Sequence, residues 1–457
     1  MSLIISVSGI RGTIGGVVGE NLTPEDIMKF SIAYGRFLKS MNVRPKIVIG
    51  RDSRISGPMV QHIVMGSLQS IGIDIINLDL STTPSVELAV LKHKADGGII
   101  ITASHNPSNW NALKLLNNLG EFISAEVGDE ILKLSNQNEI IYNNATSLGN
   151  SFPNNTAIEE HVKSILDLKI IPTELIRSKK YRILADCINS TGSLALPILF
   201  DALHCKYELI NGNMDGNFIH NPEPLENNLY ELIHSIGNST DLGIAVDPDV
   251  DRLALVDEQG VFFGEEYTLV CAADYVLDQQ LGNTVSNLSS SRALFDLTKS
   301  KGAEHFFSAV GEVHVVSKMK TVNAVIGGEG NGGTIYPKLH YGRDALVGIA
   351  LVLANMATKN KTISELKQSY PKYFMHKDKL ELNPNLDFLQ LLNYLKDHYK
   401  NEKINLEDGL KIDMNEGWLH IRKSNTEPIL RIYSEATTEL LAKNFTEKLK
   451  ELVVKFK

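Results

Sequence analysis

Short apolar runs alternate with helical patterns over the first third of the chain. KIVIGRD (46–52) and DIINLDL (74–80) have the apolar character of buried strands, and the segment between them, 57–71, has helical spacing. A second helical pattern near 85–94 leads to a third apolar run, GGIIITA. Strand–helix–strand alternation of this kind is typical of an α/β fold with a largely parallel sheet.

The alternation recurs twice further along the chain. A second round runs from the strand YRILADC (181–187) to the strand DLGIAVD (241–247), and a third from a helix at 265–280 to the strand AVIGGEG. After a helix at 343–357, the segments GLKIDM, WLHIRKS and ILRIYSE are short strands in close succession. We therefore predict three related α/β domains with mixed, largely parallel sheets, followed by a C-terminal α+β domain.

The length of the chain also requires several domains, because 457 residues exceed what one hydrophobic core supports. We predict domain limits at 1–154, 155–256, 257–368 and 369–457. The polar stretch 135–156 is interpreted as the first junction, although a surface excursion would have the same composition.

Composition excludes several classes of partner. The net charge is −9 with no basic tract, so neither a nucleic acid nor an anionic membrane is expected to bind. No apolar stretch approaches the roughly 20 residues that span a bilayer, and the N-terminus lacks the features of a signal peptide. Cys187, Cys205 and Cys271 have no CxxC spacing and are interpreted as reduced thiols. We expect a cytoplasmic protein, either a monomer or a homodimer.

The polar segment TASHNP follows the apolar run GGIIITA and contains Ser104 and His105. A serine before His-Asn-Pro is typical of an ordinary turn, since Asn and Pro favour such positions. No G-x-S-x-G elbow is present, so an α/β-hydrolase triad is not indicated. If Ser104 takes part in chemistry, another kind of group must activate it.

DPDVDR (247–252) places three alternating carboxylates, Asp247, Asp249 and Asp251, after a strand. An EF-hand is not favoured, because its sixth position requires glycine and is Arg252 here. A solvated acidic turn is the other alternative, but three clustered carboxylates repel one another without a cation. An all-oxygen ligand set favours Mg²⁺ over Zn²⁺.

GGEGNGG (327–333) contains Gly328, Glu329 and Asn331, and its spacing matches neither a dinucleotide fingerprint nor a P-loop. Its glycines allow a ligand to approach the backbone closely, and a carboxylate beside an amide suits sugar hydroxyls. A flexible glycine loop is the alternative interpretation.

RKSNTEPILR (422–431) combines cationic and hydroxyl donors at one turn, a composition that favours a phosphate site over a solvated turn. These donors are Arg422, Lys423, Ser424, Asn425, Thr426 and Arg431.

Near the N-terminus, SGIRG (8–12) and GRDSR (50–54) place Arg11, Arg51 and Arg54 beside glycines, where arginines often have structural roles. Lys114 is interpreted either as a surface lysine or as a proton donor that reaches back towards Ser104. Together, a serine, a three-aspartate site, a polyol loop and a phosphate site indicate phosphoryl transfer on a sugar phosphate.

TASHNP, DPDVDR, GGEGNGG and RKSNTEP, in this order, resemble the α-D-phosphohexomutase family, and SGIRG and GRDSR match its N-terminal elements. The resemblance covers essentially the whole chain. It implies four domains around a central cleft, with one Mg²⁺ per chain, a phosphoserine and a sugar bisphosphate intermediate.

The resemblance also implies a role for each matching residue. Ser104 would be the phosphoserine and would hold Mg²⁺ together with the three aspartates. Glu329, with its neighbours in the loop, would bind sugar hydroxyls, and the RKSNTEP segment would hold the phosphate that is not reacting. The residues expected near the transferring group are Arg11, Lys114 and Arg252, with Lys114 the first candidate for general acid/base. His105 would either support the loop that carries Ser104 or assist proton transfer.

The sugar loop departs from the GExSG pattern of many phosphoglucomutases and phosphomannomutases, because Asn331 stands at the serine position. The GEGNG version resembles phosphoglucosamine mutases and mixed-specificity glucose/mannose enzymes. We expect conversion of glucosamine 6-phosphate to glucosamine 1-phosphate, with glucose or mannose phosphate as alternative substrates. A metal-dependent sugar-phosphate phosphatase is the alternative from another class of enzyme.

Overall fold

The computed structural model describes residues 2–6, 9–137, 139–381, 386–424 and 429–456. Within these ranges the strands form four sheets, and each sheet is built from one continuous stretch of chain.

The first sheet has seven strands, covered by helices on both faces. The strands are β1 (Ile4–Ser6), β2 (Gly9–Thr13), β3 (Lys46–Arg51), β4 (Asp74–Leu80), β5 (Gly97–Ile101), β6 (Trp110–Leu116) and β7 (Ser151–Pro153). The helices are α1 (Pro24–Met41), α2 (Gly57–Ser70), α3 (Thr83–His93) and α4 (Ala125–Ser135). Alternate residues of a strand point to opposite faces, so Ile47 and Ile49 pack towards α1 and α2 while Val48 packs towards α3.

The second and third sheets have four strands each. The second unit contains α5 (Ala157–Leu166), α6 (Thr173–Lys179), β8 (Arg182–Asp186), α7 (Gly192–Ala202), β9 (Lys206–Ile210), α8 (Tyr230–Ser235), β10 (Leu242–Val246) and β11 (Leu253–Val256). The third contains α9 (Glu265–Gln279), β12 (Thr284–Asn287), α10 (Arg292–Ser300), β13 (His305–Ser308), α11 (Glu312–Val322), β14 (Ile326–Glu329), β15 (Gly333–Ile335), α12 (Ala345–Lys359) and α13 (Ile363–Gln368).

The first three sheets share one four-stranded core. In spatial order these cores are β4-β3-β5-β6, β9-β8-β10-β11 and β13-β12-β14-β15. In each core the first three strands in chain order are parallel, and the fourth returns antiparallel beside the third. The predicted relationship between three α/β domains with mixed sheets is therefore confirmed as a common topology.

Helix α12 joins the second and third units. Its residues from Ala345 to Ala357 are all buried, as expected of a helix that is apolar on every side. One continuous hydrophobic core runs from Ile158 in α5 through α12 to Tyr370. The predicted domain limits stay a prediction, since packing is continuous across the limit between these two units.

The fourth sheet is antiparallel, in the order β16-β20-β19-β18-β17. Its elements are β16 (Phe374–Glu381), α14 (Phe388–His398), β17 (Lys403–Asn405), β18 (Leu410–Met414), β19 (Gly417–Lys423), β20 (Ile429–Ala436) and α15 (Glu439–Lys455). Leu419 and Ile421 of β19 pack with the two helices. The alternate side chains Trp418, His420 and Arg422 therefore point to the opposite face, where His420 bonds Ser289 of the third unit.

Candidate active site

Three of the polar segments occupy the same place in the shared topology. TASHNP connects β5 to β6, DPDVDR connects β10 to β11, and residues 330–332 connect β14, which ends at Glu329, to β15. Each segment thus joins the third strand of a core to the antiparallel fourth, at the carboxyl ends of the parallel strands, where open α/β sheets gather their ligands. The fourth segment lies at the end of β19 and the start of β20.

The loop after β5, here named the serine loop (102–109), holds Ser104 in a left-handed conformation, with φ +48°. Ser104 is 5% exposed, and its backbone N–H donates to Thr102 Oγ1 over 2.9 Å. A non-glycine residue in this region is uncommon and is held there by its surroundings. The loop is therefore more than an ordinary exposed turn, because it presents a buried hydroxyl in a fixed direction.

Arg54, which is fully buried, supplies much of that constraint. Its guanidinium donates to the backbone carbonyls of Ser104, Asn106, Pro107 and Trp110. Its Nε also donates to Asp52 Oδ2 over 3.0 Å. Arg54 therefore supports the serine loop, whereas Arg51 of the same GRDSR segment pairs with the half-exposed Asp79.

The loop after β10, here named the metal loop (247–252), contacts the serine loop directly, since Ser104 Oγ donates to Asp247 Oδ2 over 2.6 Å. Asp247 Oδ1 accepts the backbone N–H groups of Asp251 and Arg252, each at 3.1 Å. The loop turns through Val250, whose φ of +61° is rare for a β-branched residue. This turn brings Asp247, Asp249 and Asp251 together with one carboxylate oxygen from each within 4.8 Å of the others.

The three buried aspartates have the free oxygens that a hard cation requires. Asp249 Oδ1 and Asp251 Oδ1 accept no hydrogen bond from any described residue. Burial and the neighbouring charges of Asp251 and Asp249 raise the pKa of Asp247 well above its ordinary value. Buried, unpaired carboxylate oxygens are costly unless a cation or a proton joins them. The donor set therefore fits Mg²⁺, and EF-hand geometry is absent, because strand β11 follows the loop.

Lys114 lies on β6 and is 8% exposed, so it is not a surface lysine. Its Nζ lies 2.7 Å from Asp249 Oδ2 and 3.6 Å from Asp251 Oδ2. His105 Nδ1 lies 3.4 Å from Ser104 Oγ. Burial and the cations Arg252 and Arg11 lower the pKa of His105 well below its ordinary value, so its ring is neutral at neutral pH.

The sugar loop is tightly packed, which answers the alternative of a flexible glycine segment. Glu329 Oε1 accepts from Asn287 Nδ2 at 2.8 Å and from Gly311 N at 3.1 Å, while Oε2 accepts from Arg343 Nη1 at 2.8 Å. A Cβ added at Gly330 would lie 1.8 Å from Glu266 Oε2. Burial alone would raise the pKa of Glu329, but Arg343 and the hydrogen bond from Asn287, together with smaller contributions from Arg252 and the Gly311 backbone, outweigh burial and keep the pKa below its ordinary value.

In the phosphate segment, Arg422, Ser424 and Arg431 lie at the cleft together with Tyr433. Arg431 Nε contacts Ser424 Oγ at 3.4 Å, and its Nη1 contacts the Tyr433 hydroxyl at 3.2 Å. Asn425 and Thr426, predicted to belong to the same site, lie outside the described residues.

One cleft of about 470 Å³ unites these segments. Among the predicted residues, those that line it are Arg11, His105, Arg252, Glu329, Asn331, Arg422, Ser424 and Arg431. Gly328 lies on β14 beside the loop, and Lys423 is exposed with its ammonium over the Phe388 ring. Lining residues come from all four units, so the cleft is central, as predicted.

Comparison with known proteins agrees with this arrangement. Family profiles described as phosphoglucomutase/phosphomannomutase alpha/beta/alpha domains I, II and III and C-terminal domain match residues 3–141, 159–260, 264–373 and 381–452. The chain belongs to the phosphoglucomutase/phosphomannomutase family, the α-D-phosphohexomutases. It is accordingly a mutase, an isomerase of phosphorylated hexoses.

Two relatives have different substrates in their names. The chain is 34% identical to a phosphoglucomutase/phosphomannomutase of Thermococcus kodakarensis, over 95% of this chain and 96% of the relative. It is 33% identical to a phosphoglucosamine/phosphogalactosamine mutase of Sulfurisphaera tokodaii, over 99% of both. In fold it is similar to a family protein of Burkholderia thailandensis, with a TM-score of 0.85, 24% identity and coverage of 98% and 96%.

Several residues of this phosphohexomutase site were not found from the sequence. Thr83 Oγ1 donates to Asp249 Oδ2 over 2.5 Å, and Arg343 binds both Asp251 and Glu329. Glu223, Asn287, Ser289, Lys377 and Tyr433 also line the cleft. Of these, Thr83 could have been suspected from the sequence, since it follows the end of a strand by three residues, as Ser104 does.

Within the described ranges, no helix has both the length and the apolar composition to cross a membrane.

Proposed function

We propose that this phosphohexomutase interconverts a hexose 6-phosphate and the corresponding 1-phosphate, with Ser104 as the phosphate carrier. The observation that carries the proposal is the 2.6 Å hydrogen bond from Ser104 Oγ to Asp247 Oδ2, between two loops whose residues His105 and Arg252 line the central cleft. A serine in that position can hold a phosphate beside a cation bound by the three aspartates, and transfer to a sugar then needs mainly positioning and charge neutralisation.

The reaction has two half-reactions. A sugar hydroxyl oxygen attacks the phosphorus of phospho-Ser104, the bond from phosphorus to Ser104 Oγ breaks, and Oγ takes up a proton while the sugar hydroxyl loses one. The bisphosphorylated sugar then turns end for end within the cleft, and its other phosphate returns to Ser104. When bound by Asp247, Asp249, Asp251 and Ser104, Mg²⁺ would neutralise charge on the transferring phosphate.

Two groups of the chain are suited to the proton movements. Lys114 is held in the charged state by Asp249 and Asp251, so it is our candidate for the group that gives a proton. His105 is neutral and close to Ser104 Oγ, so it is our candidate for assisting proton removal. Arg11 and Arg252, which both line the cleft, would attract the transferring phosphate.

The phosphate that does not react requires a second anchor. Arg422, Ser424 and Arg431 line the cleft from the fourth sheet. A guanidinium group can bind a phosphate through two parallel hydrogen bonds. Because the sugar must turn, this anchor has to accept a phosphate on either end. The described part of the anchor is formed by side chains rather than by a rigid backbone nest, which suits that requirement.

We further propose glucosamine 6-phosphate as the preferred substrate. The carboxylates of Glu329 and Glu223 line the cleft and could pair with a 2-amino group, while Asn331 offers an amide beside them. The Sulfurisphaera relative named for glucosamine and galactosamine phosphates supports this choice, and the Thermococcus relative supports the glucose and mannose alternative. A cytoplasmic location and a monomeric or homodimeric state stay predictions.

The carrier role is tested by intact-mass measurement of protein incubated with a hexose 1,6-bisphosphate and Mg²⁺. We expect a gain of one phosphate, located at residue 104 by peptide mapping and absent from Ser104→Ala. Ser108→Ala is the matched control, since Ser108 is exposed in the same loop. An active protein that never carries phosphate on Ser104 would contradict the proposal.

The substrate is tested by kcat/KM on the 6-phosphates of glucosamine, glucose and mannose. We expect glucosamine 6-phosphate to be favoured by at least about tenfold, because a hydrogen bond to a charged group contributes about 1.5 to 3 kcal/mol. Equal values on all three sugars would refute the preference. Free phosphate measured in the same assays separates a mutase from a phosphatase, because a mutase forms isomer much faster than it releases phosphate.

A further inference from the structure

Arg343 is the centre of a buried charge cluster that no sequence motif indicated. It is 8% exposed and lies in the segment between β15 and α12. Its three nitrogens each meet a different carboxylate, with Nη2 2.7 Å from Asp251 Oδ2, Nη1 2.8 Å from Glu329 Oε2 and Nε 2.9 Å from Glu312 Oε2. One guanidinium therefore joins the metal loop, the sugar loop and the start of α11.

The contacts of Arg343 leave one oxygen of Asp251 without a hydrogen bond and leave part of the accepting capacity of Glu329 unused. Asp251 binds Arg343 through Oδ2, so its Oδ1 stays free of hydrogen bonds from described residues and can face a cation. Glu329 binds Arg343 through one oxygen and Asn287 through the other. Each carboxylate is thus oriented without being fully saturated, because a carboxylate has about four lone-pair directions.

The surrounding chain fixes the position of Arg343 itself. Its backbone N–H donates to Glu312 Oε1 over 3.2 Å. The next residue, Asp344, caps α12 through Oδ1 and accepts from His161 and His340 through Oδ2. A guanidinium has a planar fork of donors that suits several carboxylates at once, whereas a lysine ammonium is a single point charge.

The sugar loop is also shaped around this arginine. A Cβ added at Gly333 would lie 2.3 Å from Arg343 Cδ and 2.9 Å from Cγ. Real Cβ atoms do not approach so closely, so any larger residue at position 333 would displace the arginine side chain. The last glycine of GGEGNGG therefore leaves the space that the Arg343 side chain occupies.

We propose that Arg343 is a positioning residue that couples the metal loop to the sugar loop, so that a divalent cation and the sugar phosphate each bind more tightly when the other is present. The proposal rests on the function proposed above. A cation that orders Asp251 also orders Arg343 and, through it, Glu329, so the second ligand loses less conformational freedom on binding. By linkage, the effect of the sugar on the cation equals the effect of the cation on the sugar.

The test measures this coupling rather than activity. Dephosphorylated protein, which lacks the phosphate to be transferred, is titrated with Mn²⁺ by electron paramagnetic resonance, with and without saturating glucosamine 6-phosphate. For the wild type we expect the Kd for Mn²⁺ to fall by about tenfold when the sugar is present, within the usual range of allosteric coupling. For Arg343→Lys we expect this ratio to approach one, with Mn²⁺ still bound.

Two further variants make the result specific. Gly333→Ala, which leaves every charge in place but displaces the arginine, is expected to lose the coupling in the same way. Arg177→Lys is the matched control, since Arg177 is a half-buried arginine of α6 outside the cleft, and it should keep the wild-type ratio. A circular dichroism melt of each variant confirms that it is folded.

The outcomes separate this proposal from the proposed function. A purely structural role for Arg343 would weaken both ligands but leave their ratio at the wild-type value, which would overturn the coupling. A wild type that binds both ligands with no coupling would overturn it as well. A wild type that binds neither Mn²⁺ nor the sugar phosphate would overturn the proposed function together with this inference.

Discussion

Lys114 and Asp249 form a buried ion pair, with 2.7 Å between Nζ and Oδ2, that joins the first sheet to the metal loop of the second. Burial alone would lower the pKa of Lys114, but Asp249 and Asp251 outweigh burial and raise it above its ordinary value. The backbone N–H of Thr83 also donates to the carbonyl of Asp249 over 2.9 Å. The metal loop is thus held from outside its own sheet.

Two replacements of Lys114 distinguish its role as a positive charge from its role as a proton donor. We expect Lys114→Met to lower kcat by about 100-fold or more, the usual contribution of a general acid or base. Lys114→Arg keeps a positive charge near Asp249 but has no proton that it can give up. A kcat as low in Lys114→Arg as in Lys114→Met would support proton donation, whereas near wild-type kcat in Lys114→Arg would contradict it and assign an electrostatic role.

Removal of the Arg54 fork should loosen the serine loop. Arg54→Lys leaves most of the four loop carbonyls without a donor, so we expect a loss of about 2 to 4 kcal/mol in the free energy of unfolding, measured by denaturant titration. The phosphorylated fraction of Ser104 should fall as well. Arg51→Lys is the matched control and should cost about 1 kcal/mol or less, because its partner Asp79 is 57% exposed. Equal losses in the two variants would contradict the assignment.

The sequence predicted the parts of the site that lie within short segments. TASHNP, DPDVDR and GGEGNGG each follow an apolar strand, so the periodicity indicated that Ser104 and the three aspartates lie at strand ends. It did not indicate that β10 and β11, or β5 and β6, pair antiparallel around those segments. The sequence does not indicate strands at β2 and β6, because Arg11, Asn111 and Lys114 interrupt their apolar character, yet these strands carry Arg11 and Lys114 of the predicted site.

Arg343 could not be found from local pattern. Arg343 follows a glycine before an apolar helix, where an arginine is ordinarily solvated, and its three carboxylate partners are 14 to 92 residues away in sequence. Such a role depends on the docking of one unit against another. The apolar periodicity of a chain determines which faces are buried, but it does not state which loops then meet.

Removal of the metal should change stability as well as activity. Chelation is expected to abolish mutase activity, and added Mg²⁺ should restore it and raise the free energy of unfolding, by about 2.7 kcal/mol at 100 times its Kd. Asp247→Asn should be at least as stable as the wild type without metal, because it relieves repulsion among buried carboxylates, and should gain nothing from Mg²⁺. Asp215→Asn, at an exposed aspartate, is the control that should respond like the wild type. A Mg²⁺-induced gain in Asp247→Asn would contradict the assigned site.

A buried polar network next to Arg343 should make the protein less stable in alkali. His340 Nε2 lies 3.2 Å from Asp344 Oδ2, and its Nδ1 lies 3.2 Å from Glu87 Oε2. Burial opposes the charged imidazolium, but Asp344 and Glu87 outweigh burial and raise the pKa of His340 to about 10. Burial raises the pKa of Glu87 to about 8. The folded protein therefore binds more protons here than the unfolded chain does, whose histidine titrates near a pKa of about 6.5.

The sign of the pH effect follows from this difference. The stabilisation from His340 is complete below about pH 6.5 and is lost as the pH rises through about 10. The raised pKa of Glu87 likewise lowers the stability of the folded protein as the pH rises towards about 8. We expect the melting temperature of the wild type to fall from pH 7 to pH 10, and the gap between the wild type and His340→Gln to narrow over that range. His398→Gln, at the end of α14 and outside the network, is the control and should follow the wild type. A gap that stays constant or widens towards pH 10 would show that His340 is neutral in the folded protein.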